Sequence, residues 1–122
     1  MGFRLRVKQK SSDTWYGDDH KLYGYVTYKN VKTSFDILIP YIKEQWPNWF
    51  YNLNTNEDGY DFMCYVSATD ELVLDHLTFS KWATAYMQDL KKNKRTEEVI
   101  TEVSRYLNLL SLSEEDKILE WC

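Results

Sequence analysis

The chain has 122 residues, a formal net charge of −4, 16% aromatic residues and two cysteines. A chain of this length is one domain, residues 1–122, and buries about two-thirds of its unfolded surface, so its core needs neither disulfide nor metal. No signal peptide, no apolar run of about 18 residues and no Asn-x-Ser/Thr sequon is present, which argues against secreted and membrane-spanning classes and for a cytosolic protein.

Residues 3–10, Phe-Arg-Leu-Arg-Val-Lys-Gln-Lys, alternate apolar and basic. That is the pattern of a half-buried strand with a cationic outer face. Arg4, Arg6, Lys8 and Lys10 face out. A charged edge strand blunted against aggregation accounts for them; a nucleic-acid contact is the functional alternative. Residues 11–21 are polar and turn-like, and Asp18-Asp19-His20 reads as a solvated loop, because adjacent loop residues do not converge on one metal by themselves. Residues 22–29 read as a second strand, paired with the first.

Phe35, Leu38, Ile39, Ile42 and Trp46 recur at helical spacing, which predicts a helix over 35–46, capped by Ser34, bent at Pro40 and ended by Pro47. A strand over 35–39 with a helix from Pro40 is the alternative. Trp46-Pro-Asn-Trp-Phe-Tyr51 follows, four aromatics in six residues. They are a corner of the core or, because Trp and Tyr dominate interface energetics, part of a binding surface. Asn54-Thr-Asn-Glu-Asp-Gly59 matches half of an EF-hand calcium loop. The twelfth position is Tyr65, where calcium wants a bidentate Glu. A Gly-terminated turn explains these residues better, and no metal site is assigned.

Residues 60–67 and 71–77 read as a buried hairpin. Phe79, Trp82, Ala83, Tyr86, Met87 and Leu90 predict a helix over 79–92 with Thr78 as its cap. The run Lys91-Lys-Asn-Lys-Arg95 closes it, where cations suit the helix dipole. Thr96 caps a helix over 97–110, and Ser113 caps a last short helix over 114–121 with Glu114, Glu115 and Asp116 in its first turn. The expected fold is therefore α+β, an antiparallel sheet of about four strands with helices mainly on one face.

Charge is segregated. No Lys or Arg lies between Lys43 and Lys81, a stretch holding seven acids. Residues 97–122 hold seven more against Arg105 and Lys117. Such asymmetry steers encounters and rejects wrong partners. An acidic, aromatic surface suits a basic partner protein, with Trp46, Trp49, Tyr51 and Tyr60 as contacts and Glu57, Asp58 and Asp61 as rim. The competing set for direct nucleic-acid binding is Arg4, Arg6, Lys8 and Lys10 with Lys91, Lys92, Lys94 and Arg95. No phosphate loop, nucleophile motif or zinc spacing occurs, so no catalytic residue and no cofactor is assigned. A Cys64–His76 dyad depends on strand register; a Cys inside an apolar strand is more often inert core.

The opening Phe3-Arg-Leu-Arg-Val, Trp15-Tyr-Gly and Lys21-Leu-Tyr-Gly-Tyr-Val26 resembles small accessory proteins carried by phages and prophages of low-GC Gram-positive bacteria. Eleven Lys against four Arg, with ten Tyr and three Ala, fits an AT-rich gene. The resemblance spans roughly residues 1–50 and supplies no site residues. It implies an interaction role in the host cytosol, including inhibition of a defence nuclease such as a CRISPR effector.

Overall fold

The computed structural model describes residues 5–17, 28–47 and 71–121. Their elements, in chain order, are β1 (Leu5–Gln9), α1 (Tyr28–Gln45), β2 (Glu71–Leu74), α2 (His76–Lys92), α3 (Glu97–Ser111) and β3 (Lys117–Trp121). Among the described residues the fold is thus α+β, three helices and a three-stranded antiparallel sheet.

The last strand in sequence is the middle strand in space. β1 and β2 flank β3, each antiparallel to it. Val7, Leu119 and Leu72 stand in register across the sheet. Leu5 and Leu74, two residues along, share that face because strand side chains alternate. These five join Phe35, Leu38 and Ile42 of α1, Phe79, Trp82, Tyr86 and Leu90 of α2, and Val103, Tyr106, Leu107 and Leu110 of α3 in one core cluster. The opposite face carries Arg6, Lys8, Ile118 and Glu120. The edge of β2 away from β3 is met by a side chain: Gln45 donates to the Val73 carbonyl at 2.8 Å and accepts the Val73 N–H at 2.9 Å. That amide imitates one further strand residue and blunts an edge open to pairing.

Three expectations are corrected. First, residues 117–121 are strand, not part of a helix over 114–121. Ile118 and Leu119 are adjacent and both buried, which a central strand achieves by placing one on each face. A helix of eight residues is marginal without such burial. Second, the strand expected over 71–77 stops at Leu74, and α2 starts at His76 with Asp75 as its cap. The Asp75 carboxylate accepts the Thr78 N–H at 2.7 Å, while the Thr78 hydroxyl meets the Tyr41 hydroxyl at 2.5 Å. Third, α1 begins at Tyr28, seven residues before the expected start, so Tyr28 and Lys29 are helical rather than strand. Its backbone kinks at Val31. Ser34 is therefore internal and acts as donor: its N–H and hydroxyl reach Asp89 Oδ2 at 3.0 and 2.7 Å. A buried carboxylate on α2 caps the second segment of α1. Pro40 lies inside α1 without ending it. β1 pairs with β3 along one edge, and Val7 bridges Tyr16 along the other. Residues 22–27 and 60–67 lie outside the described residues, and with them the strand expected over 60–67 and the expected pairing of 22–29 with the first strand.

Candidate interaction surface

Of the two basic sets named from the sequence, Lys10 and the run 91–95 lie apart. Lys10 lies where β1 ends, its N–H bonded to the Asp116 carbonyl at 2.9 Å. Gln9, Lys117 and Leu74 mark that same end of the sheet, and α2 departs from it two residues later. A helix of 17 residues spans about 25 Å, so Lys91, Lys92, Lys94 and Arg95 sit far from Lys10. Arg6 is also engaged. Its guanidinium bonds Glu120 at 2.5 and 3.1 Å and lies 4.1 Å from the Trp15 ring centroid. Lys8 Nζ is 5.1 Å from the same ring. Cation–π contact and an ion pair with a nearly buried carboxylate hold much of this cationic face in place.

The run 91–95 is a helix stop. The Arg95 N–H bonds the Leu90 carbonyl and the Lys94 N–H the Lys91 carbonyl, both at 3.1 Å. This is a Schellman motif, with Lys94 at φ 57° where glycine is usual. Thr96 then caps α3, its hydroxyl accepting the Val99 N–H at 3.3 Å. α3 returns along α2, and the two enclose a shallow groove of about 460 Å³ running from Ser80 and Ser111 at one end to Lys91 at the other.

At the Ser80–Ser111 end stand the large hydrophobic side chains that are exposed among the described residues: Leu77 at 65%, Leu109 at 46% and Leu112 at 83%. Asp75 and Glu114 are exposed beside them, and Glu115 and Asp116 are half-buried. On the solvent side of α3, Glu97, Glu98, Thr101, Glu102 and Arg105 line an open depression that leads toward Leu109. An apolar end rimmed by acids has the anatomy of a protein-contact surface. The sequence reading passed over these leucines. Leu109 and Leu112 fall off the buried stripe of Val103, Tyr106, Leu107 and Leu110, which was the available signal; Leu77 was hidden in a misplaced strand.

The loop beneath this end is tied down from two sides. Lys117, 0% exposed, donates to the Ser113 carbonyl at 2.9 Å and to the Glu115 carbonyl. Its Nζ lies 5.3 Å from the Phe79 ring centroid, and burial pushes the ammonium below its ordinary value. From the other side the Ser11 N–H donates to Glu115 Oε1 at 2.6 Å. Hydrogen bonds from Ser11 hold the Glu115 carboxyl below its usual range, as the Thr78 backbone and hydroxyl do for Asp75. These bonds fix the loop that carries Glu114, Glu115 and Asp116.

Of the aromatic and acidic contacts named from the sequence, Trp46 is described: it is half-buried and packs against the core cluster. Trp49, Tyr51, Glu57, Asp58, Tyr60 and Asp61 lie outside the described residues, as do Arg4, Cys64 and the Asp18–His20 and Asn54–Gly59 clusters. Among the described residues no cluster of three or more His, Cys, Asp and Glu is placed to hold a metal ion, and no helix is long and apolar enough to cross a membrane. No protein-family model, curated protein or solved structure matches the chain.

Proposed function

We propose that this is a non-enzymatic interaction protein that binds and modulates a host protein bearing a basic surface. The observation that carries the reading is the outer side of α3, where an acidic turn of Glu97, Glu98 and Glu102 with Arg105 runs into exposed Leu109 and Leu112. Aliphatic anchors beside one sign of charge give affinity and selectivity together. A nucleic-acid-binding host protein, such as the defence nuclease implied by the phage-protein resemblance, presents the matching cationic groove. Direct nucleic-acid binding is the second reading; the separation of Lys10 from Lys91–Arg95 and the engagement of Arg6 by Glu120 weigh against it.

Affinity capture from host lysate, with and without nuclease treatment, tests the reading. The expected result is one protein recovered in both samples and lost with a Glu98→Lys, Leu109→Lys variant of unchanged circular dichroism. Recovery that vanishes on nuclease treatment overturns it in favour of nucleic acid.

A further inference from the structure

We propose that two copies of this chain associate through the α2–α3 face, about a two-fold axis parallel to the helices, so that α2 of one copy lies on α3 of the other. This surface borders the outer side of α3 invoked above and shares Glu97 and Leu112 with it, while Glu98, Glu102 and Leu109 lie beyond its edge.

The pattern along the face supports the pairing. On α2 the solvent-facing positions beside the groove are Leu77, Ser80, Thr84, Met87 and Lys91. They repeat at spacings of three and four, the rhythm of a helix seam that receives another helix. On α3 Ser104, Asn108 and Ser111 line the groove, and the same helical stripe continues through Thr101 to Glu97 at the edge of the outer depression, with Leu112 next to the last. Each helix therefore carries leucine at the sheet-proximal end, mostly polar side chains in the middle, with Met87 among them on α2, and a charge at the distal end. The charges are opposite, Lys91 on α2 and Glu97 on α3. Both are exposed, and neither has an ion-pair partner among the described residues.

Symmetry chooses between the two ways of laying one such face on its copy. An axis perpendicular to the helices puts α2 antiparallel on α2, so that Leu77 meets the other copy's Lys91, and Leu112 meets the other copy's Glu97. Each leucine then faces a charge. An axis parallel to the helices puts α2 on α3 with matching ends together. Leu77 then meets Leu112 and Lys91 meets Glu97, twice each, as an isologous interface requires. Apolar area is buried against apolar area, and each charge finds its opposite. The small side chains of Ser80 and Ser111 beside the leucines and of Ser104 nearer the centre allow close approach.

The face is about 25 Å long and about 20 Å wide, so the dimer buries on the order of 1,000 Å², the lower limit for a specific interface. Association is therefore weak, with a dissociation constant on the order of tens of micromolar.

Sedimentation equilibrium of the full chain from about 1 to 500 µM tests the proposal. The expected result is a reversible monomer–dimer equilibrium that weakens as salt rises. Lys91→Glu and Glu97→Lys each weaken it about three- to tenfold, and Leu112→Gln weakens it at least as much. The Lys91→Glu, Glu97→Lys double variant restores it to within about twofold of the original. A monomer throughout the concentration range overturns the proposal. So does a double variant as weak as the two single changes combined, because Lys91 and Glu97 then do not meet. All three substitutions are at exposed positions, so circular dichroism and unfolding midpoints stay close to those of the original chain.

Discussion

Two stretches of this chain open alike and end differently. Thr96-Glu97-Glu98 and Ser113-Glu114-Glu115-Asp116 each place a hydroxyl before a run of acids, the local signature of a helix start. The first begins the 15-residue helix α3; the second leads into the central strand β3. The hydroxyls show where they part. Thr96 accepts an N–H three residues on, at Val99, whereas Ser113 accepts one two residues on, at Glu115. A three-residue reach caps a helix, and a two-residue reach closes a turn. Behind Thr96 stand four buried residues at helical spacing. Behind Ser113 stand five residues, two of them adjacent and apolar, and two strands waiting for a partner. A cap signature states that a helix can begin; the apolar pattern behind it decides whether one does.

The largest expected effect sets the buried strand against the exposed helix end. Leu119→Ala removes a side chain at the centre of the sheet and should cost about 2–5 kcal/mol, read as a lowered urea midpoint. Leu112→Ala, seven residues earlier at the C-cap of α3, should cost less than about 0.5 kcal/mol. Equal losses would mean that the 113–121 segment does not form the central strand.

The next effect separates the segments by pH. Burial holds the Lys117 ammonium below its ordinary value of 10.5. Between the folded and the ordinary value the unfolded chain binds more protons, so stability should rise with pH across that window. Tyr86 acts oppositely: burial holds its phenol above the ordinary 10.0. Above about pH 10 the unfolded chain loses that proton first, and stability should fall. Urea midpoints from neutral to alkaline pH should rise and then drop. Lys117→Met should abolish the rise and leave the drop. A rise that survives the substitution would place its origin outside β3.

How much was legible follows from the same contrast. The stripe of Phe79, Trp82, Tyr86 and Leu90 located α2, and Val103, Tyr106, Leu107 and Leu110 located α3, because a long amphipathic period has few alternative explanations. The alternation from Phe3 to Lys10 located β1. The start of α1 was not legible, because Asp89, far away in sequence, supplies the acceptor that stabilises its second segment. The start of α2 was misplaced because Asp75 and Thr78 both qualify as caps, and the Tyr41 contact that occupies the Thr78 hydroxyl is non-local. The role of 117–121 was illegible for the same reason: five residues carry no period, and their pairing is set by β1 and β2. For the surface, charge segregation was legible from composition. The exposure of Leu77, Leu109 and Leu112 was not, since an exposed leucine is recognised only once the buried stripe is placed.

The two hydroxyls provide the next smaller test. Thr96→Ala should cost about 1 kcal/mol, because it leaves the Val99 N–H at an open helix end. Ser113→Ala should cost less, because the Ser113 carbonyl that receives Lys117 belongs to the backbone and survives. If Ser113→Ala proved the more damaging, the turn rather than the core would be holding β3 in place.

The smallest effect carries the opposite sign and acts on the junction that precedes α3. Lys94 occupies the left-handed region at φ 57°, the position where a Cβ crowds the backbone and glycine does not. The Schellman bonds from Lys94 to Lys91 and from Arg95 to Leu90 use main-chain atoms alone, so they persist when the side chain is removed. Lys94→Gly should therefore stabilise the folded state through relief of strain, offset in part by the greater freedom of glycine in the unfolded chain. The net gain should be about 0.5 kcal/mol, read as a raised urea midpoint with an unchanged slope. Because Lys94 is one of the cations in the competing nucleic-acid reading, the same variant serves twice. A stop motif predicts higher stability with host capture intact; a nucleic-acid contact predicts weaker binding that grows less sensitive to salt.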